Sequence, residues 1–154
     1  MELYEIKYLL ISCRRIYQTT ATTTETDKEG KMANVINWFE IPAENFDRAC
    51  DFYGKVLEGE IHKMDSPSGL KMGFLPGMEQ GQVGGAVVHG ETYEPSQKGS
   101  IVYLNGGDDL GIPLARVEEA GGKVITPKMS IGENGFIAHF IDSEGNRVAL
   151  HSMN

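Results

Sequence analysis

From Val35 to Pro42 the residues Val-Ile-Asn-Trp-Phe-Glu-Ile-Pro alternate in character, setting Phe39 and Ile41 on one side of an extended segment and Trp38 and Glu40 on the other. The segment reads as a strand with two unlike faces. Directly after it, Phe46, Ala49, Cys50, Phe52, Tyr53, Val56 and Leu57 recur at three- and four-residue steps behind a capping Asn45, so the pattern switches to a helix that stops near Gly59. Its apolar face must pack on a sheet. Three more strand-like runs follow, Glu60 to Met64, Leu70 to Leu75 and Val83 to His89. They are separated by Ser66-Pro67-Ser68-Gly69 and by the glycine-rich stretch from Pro76 to Gly81.

After a polar loop, Gly90 to Lys98, the same order returns: a strand from Ser100 to Asn105, a helix from about Asp108 to Ala120 closed by Gly121-Gly122, and three strands. Those strands are Lys123 to Pro127, Phe136 to Ile141 and Arg147 to Ser152. Phe46 and Ile61 answer to Leu110 and Ile125 at a constant offset, so the repeat is structural rather than literal. The predicted fold class is α+β: two βαβββ modules, about residues 32–90 and 99–154, forming a curved, partly open eight-stranded sheet around a cleft, with a helix on the outer face of each half. The cleft is where function is to be sought.

Residues 1–31 break this pattern. An apolar patch, Tyr8-Leu9-Leu10-Ile11, precedes a run of threonines with almost nothing to bury, which predicts a flexible extension. Glu2 and Glu5 come before the apolar patch and Arg14-Arg15 interrupts it, the reverse of a secretory leader. Because Met32 opens the first patterned segment, we expect it to be the natural start, with 32–154 as the folded domain.

The 154 residues allow one ordinary domain. A formal net charge of −8, spread without an acidic block, would repel a phosphate backbone, so nucleic acid is not expected as a partner. No apolar run reaches membrane-spanning length. Cys13 and Cys50 make no CxxC pair, which suits a reducing, cytoplasmic setting. Gly84-Gly85 and Gly106-Gly107 fit neither dinucleotide nor nucleotide-phosphate motifs, and read as close backbone approach or tight connections.

Three stretches together resemble the vicinal-oxygen-chelate superfamily, the glyoxalase, bleomycin-resistance and ring-cleaving dioxygenase proteins. They are Trp38-Phe39-Glu40-Ile41-Pro42, the helix Asp47-Arg48-Ala49 to Phe52-Tyr53-Gly54-Lys55-Val56-Leu57, and the ending Asp142-Ser143-Glu144-Gly145-Asn146-Arg147-Val148-Ala149-Leu150-His151-Ser152. The resemblance spans Met32 to Asn154 and identifies fold better than reaction. It implies four metal-ligand positions, two from each half, on the first, fourth, fifth and last strands. By that resemblance the first falls on Trp38, the fifth-strand position on Ser100 and the last on Ala149, none a competent ligand. The fourth-strand position falls within Val87 to His89, where only His89 could coordinate.

The expectation is therefore a glyoxalase-like protein that binds a small organic molecule in the cleft, with no metal or other cofactor. Trp38, Glu40, His89, Ser100, Val102, Ala149 and His151 line that cleft. The alternative is a metal-dependent lyase of the lactoylglutathione kind, an isomerase or a dioxygenase. It would use a displaced cluster of Glu40, His89 and His151 on zinc, iron, nickel or manganese, or Glu40 as a metal-free base. His62 reads as exposed, His139 as a satisfied structural histidine, Cys50 as inert core and Tyr53 as packing. Kinship also implies a homodimer, in some relatives with each cleft shared between subunits.

Overall fold

In the computed structural model, which describes residues 35–67, 69–77 and 82–154, the first alternating segment is strand β1, Trp38–Pro42. The expected extension, residues 1–31, and the start at Met32 lie outside the described residues. Helix α1, Phe46–Leu57, is capped as predicted, the Asn45 side-chain oxygen accepting from the Arg48 N–H at 3.0 Å. Its stop differs in detail from the expectation. Glu58, not Gly59, takes the left-handed conformation, with φ 53°. Gly59 is required by contact instead, since a Cβ there would lie 2.4 Å from the Cβ of Pro76.

Strands β2 (His62–Asp65), β3 (Lys71–Phe74) and β4 (Gly84–His89) complete a sheet of order β1-β4-β3-β2, with β1 parallel to β4. The second module repeats it. Strands β5 (Tyr103–Asn105), β6 (Lys123–Ser130), β7 (Phe136–Ile141) and β8 (Arg147–Ser152) lie in the order β5-β8-β7-β6, with β5 parallel to β8, and helix α2 spans Gly111–Glu119. The class is α+β with two βαβββ modules, and the eight strands form two four-stranded ladders that do not close on each other. The repeat slips by one residue after the second helix. Ile61 packs on the core, but Ile125 is 42% exposed and Val124 makes the equivalent contact.

One apolar core joins the modules. Ile41, Phe52, Tyr53, Val56 and Val87 from the first share a cluster with Leu104, Leu110, Val117, Phe140 and Leu150 from the second. α1 lies against α2, and the ring of Phe52 reaches Phe140 on β7 with centroids 6.0 Å apart. The helix-side faces of both sheets are thereby used up, each large side chain contributing roughly 1.5–3 kcal/mol on burial. The other face of each sheet turns away from that core. Gly85 serves the same packing: Phe39, its partner across the ladder, lies over it, and a Cβ would fall 2.3 Å from the ring.

A polar clamp completes the joint. The turn between β7 and β8 buries Asp142, 4% exposed, whose carboxylate accepts from the Tyr53 hydroxyl at 2.7 Å, the Glu144 N–H at 2.9 Å, and the Asn146 N–H and side-chain amide at 2.8 and 2.9 Å. Asn146 also donates to the Pro42 carbonyl at 2.7 Å and accepts from the Ser96 N–H at 2.9 Å. Glu144 takes a two-pronged ion pair from Arg48, at 2.7 and 3.0 Å, and the Asn45 N–H at 2.7 Å, next to the start of α1 where a negative charge is favoured. Every acceptor at this joint faces a donor, which is what makes its burial tolerable.

Two outcomes follow from the clamp. Tyr53→Phe keeps the packing but removes a donor from a buried carboxylate, and should lower stability to urea by about 1–3 kcal/mol. No loss would show that the Tyr53–Asp142 bond is dispensable. Burial raises the pKa of Glu144, but Arg48, the Asn45 N–H and the Ser143 hydroxyl together outweigh it and hold the carboxyl below its ordinary 4.5. A depressed carboxyl stabilises the fold above its unfolded pKa, and that stability is lost as pH falls through the folded value. The stability gap between the wild type and Arg48→Met should therefore be full above about pH 4.5 and shrink below it. A gap independent of pH in urea melts would remove the Arg48–Glu144 pair from the account.

Candidate functional site

With the helix sides buried, chemistry is left to the opposite faces. On the first sheet Trp38 and Glu40 share that face with Met72, Phe74, Ala86 and Val88, as strand alternation predicts. The Trp38 indole stands edge-on to Phe74, centroids 6.0 Å apart, and its N–H donates to one Glu40 oxygen at 3.1 Å. The Tyr93 hydroxyl donates to the other at 2.6 Å. Burial, then the hydrogen bond to Glu40, push the Tyr93 pKa up to about 12, so it stays a donor at neutral pH. Tyr93 was not singled out from the sequence. It lies in the loop after β4, and what brings it in is the turn in which its N–H donates to the Gly90 carbonyl at 3.1 Å.

On the second sheet Val148 and Leu150 point into the core, so Arg147, Ala149 and His151 point away from it. Ala149 is paired with Tyr103 on one side and His139 on the other. Because Ala149 is small, these two rings meet over it, with centroids 5.6 Å apart and the Tyr103 oxygen 3.1 Å from His139 Nε2. Arg147 Nη2 stands 2.7 Å from His139 Nδ1, while the buried Arg147 Nε has no hydrogen-bond partner among the described residues. Burial first, then the Arg147 charge, push the His139 pKa below its ordinary 6.5 and keep the ring neutral near pH 7. Beside this cluster an open hollow of about 520 Å³ is lined by Tyr103, Leu104, Asn105, Ile131, Ile137 and His151. His151 Nε2 donates to the Asn134 carbonyl at 2.8 Å.

The predicted lining residues are not all on these faces. Ser100 is exposed and precedes β5, and Val102 packs against the shared core, so alternation from Leu104 puts Tyr103 and Asn105 on the open face instead. On β4 the open face carries Ala86 and Val88, and His89 falls on the helix side with Val87, its Nδ1 2.9 Å from the Ala43 carbonyl oxygen. Glu40 and His151 stand on different sheets. The chain therefore does not bring Glu40, His89 and His151 together. Among the described residues no group of three or more His, Cys, Asp and Glu is arranged to hold a metal ion.

The ligand positions implied by the resemblance, Trp38, Ser100 and Ala149, do not fit a divalent cation either. Trp38 offers an N–H already given to Glu40, Ser100 is off the sheet, and Ala149 has only a methyl group beneath two touching rings. His139, expected as a structural histidine, has both ring nitrogens engaged, yet it sits at the centre of the open face. Cys50 is buried core, its thiol pushed up to about 11 chiefly by burial, and His62 is exposed. Among the described residues no helix is long and apolar enough to cross a membrane.

The model of the Glyoxalase/Bleomycin resistance protein/Dioxygenase superfamily matches residues 35–150. No curated protein matches the chain. Among solved structures, glyoxalase I from Zea mays is 21% identical with a TM-score of 0.62, over 76% of this chain and 45% of that one. The chain thus spans about half the length of the maize protein. The trypanothione-dependent glyoxalase I of Leishmania major is 18% identical with a TM-score of 0.58, over 79% of this chain and 88% of that one. TnmS3, an antibiotic binding protein from Streptomyces sp. CB03234, is 23% identical with a TM-score of 0.54, over 77% and 95%. At such identities the likeness is one of fold.

Proposed function

This chain belongs to the Glyoxalase/Bleomycin resistance protein/Dioxygenase superfamily, and from that premise we propose that it binds a small organic molecule in the hollow of its second module, without a catalytic metal. The observation that carries the reading is the closure of Tyr103 and His139 over Ala149, which fills with side chains the place where a metal-binding relative would need a lone pair. The hollow supports it further. About 520 Å³ falls within the roughly 300–1,000 Å³ usual for small-molecule sites, and the apolar side chains of Ile131 and Ile137 with a few polar groups make a lining of the usual kind. An antibiotic binding protein among the structures of this fold is in keeping with a binder. The enzyme reading, with Glu40 as base, has less support because both carboxylate oxygens already accept hydrogen bonds.

The hollow is lined by the second module alone and stands open, with Tyr103 49% and Ile131 38% exposed. We propose that a second copy closes it, the first-module face bearing Trp38 and Glu40 of one subunit covering the Tyr103 face of the other. A homodimer would give each cleft both kinds of face. A reducing, cytoplasmic setting belongs to the same reading, and the buried free thiol of Cys50 accords with it.

Thermal shift against a library of small organic molecules and, separately, against divalent metals tests the binder. An organic ligand at a hundred times its Kd stabilises by about 2.7 kcal/mol, or roughly 10 °C in a domain of this size, and metals alone should give no such rise. A large rise with zinc, iron, nickel or manganese alone would overturn the metal-free reading. Sedimentation velocity at micromolar concentration should show a dimer. A monomer at every concentration, with ligand or without, would remove the shared cleft.

A further inference from the structure

The side chains of Arg147, His139 and Tyr103 make none of the clamp's hydrogen bonds, and the polarity of their own is determined by chemistry. A guanidinium only donates, so at 2.7 Å from Arg147 Nη2 the Nδ1 of His139 must accept. The neutral ring then carries its proton on Nε2. That N–H, 3.1 Å from the Tyr103 oxygen, donates to it. Tyr103 has its acceptor side occupied, and its own hydrogen is left for whatever lies in the hollow the residue lines. Asn105 adds a second donor. Its side-chain oxygen accepts from the Gly107 N–H at 2.9 Å, which orients the amide and leaves the NH2 group without a partner among the described residues, on the same lining.

The charge behind this arrangement is uncompensated. Arg147 makes no ion pair among the described residues, and its Nε is buried without a partner, in a chain of net charge −8. Titration does not reverse the relay, because a protonated His139 would set its Nδ1–H against a group that can only donate. We propose that Arg147 and His139 hold the Tyr103 hydroxyl as a donor which, with the Asn105 amide, selects an organic acid: an apolar body seated on Ile131 and Ile137 with a carboxylate at Tyr103. This rests on the binding reading above and names the ligand class.

The probes are 2-naphthoate and 2-naphthylmethylammonium, which share a ring system but differ in having or lacking an acceptor, titrated into the full chain by calorimetry. Naphthoate should bind at least about tenfold more tightly, and Tyr103→Phe should weaken it by roughly tenfold or more while leaving the ammonium probe unchanged. Arg147→Met, with Tyr103 intact, should cause a similar loss, because His139 is then free to take the other tautomer and accept the Tyr103 hydrogen. Long-range ¹H–¹⁵N spectra of the wild type should show His139 protonated on Nε2 only. A proton on Nδ1 would overturn the relay without reference to any ligand. Equal binding of the two probes, with no effect of Tyr103→Phe, would overturn the acid selectivity and leave the binder standing. Failure of both probes to bind would count against the binding reading itself, and the acid selectivity would fall with it.

Discussion

A buried carboxylate must meet donors on every side, and Asp142 imposes that requirement on the whole molecule. Its oxygens accept from Tyr53 on α1 and from Glu144 and Asn146 on its own turn, and Asn146 in turn takes hold of Pro42 at the end of β1 and of Ser96 in the linking loop. The modules therefore cannot slide on their shared apolar core without leaving a buried charge unpaired. The same contact explains why the helix motif and the closing D-x-E-G-N-R motif point to one family: they are the two sides of one joint, about ninety residues apart in sequence and touching in space. Residues that build a joint report architecture, and reaction has to be read elsewhere.

Once the helix sides are committed to that core, the two open faces are all that remains for recognition, and they are unlike. The first holds a carboxylate, Glu40, already served by Trp38 and Tyr93, so its polarity is largely spent inside the protein. The second holds the Tyr103 hydroxyl and, behind it, a guanidinium with no acid partner among the described residues. The small residue at 149 is what lets the Tyr103 and His139 rings meet on this face. A ligating side chain there would stand where the Tyr103 and His139 rings meet, so the position can serve one arrangement or the other.

Much of this was legible in the sequence wherever alternation ran long enough. Phe136–Ile141 and Arg147–Ser152 were read to the residue, as were the Asn45 cap and the shared face of Trp38 and Glu40. Failures fall where the pattern is silent. β4 is Gly-Gly-Ala-Val-Val-His, small or apolar until its last residue, so nothing local says which face His89 takes. β5 has three paired residues, too few for a period of two, and a one-residue error in its register exchanged Val102 for Tyr103. The one-residue slip after the second helix likewise put Val124 on the core and so turned Ile125 outward. Tyr93, and the contacts of the clamp to Tyr53, Pro42 and Ser96, depend on partners tens of residues apart that leave no local trace.

On the open face of the second module, positive charge is present without a ligating side chain at position 149. A metal concentrates positive charge at one point and demands lone pairs from the protein around it. Here the charge sits on Arg147, half-buried at the sheet, and reaches the hollow only through the direction of two hydrogen bonds. Such a relay can orient and hold an acceptor, but it withdraws far less electron density than a cation in direct contact would. On the proposed reading this face serves recognition, with selectivity set by donor direction and by the apolar side chains of Ile131 and Ile137.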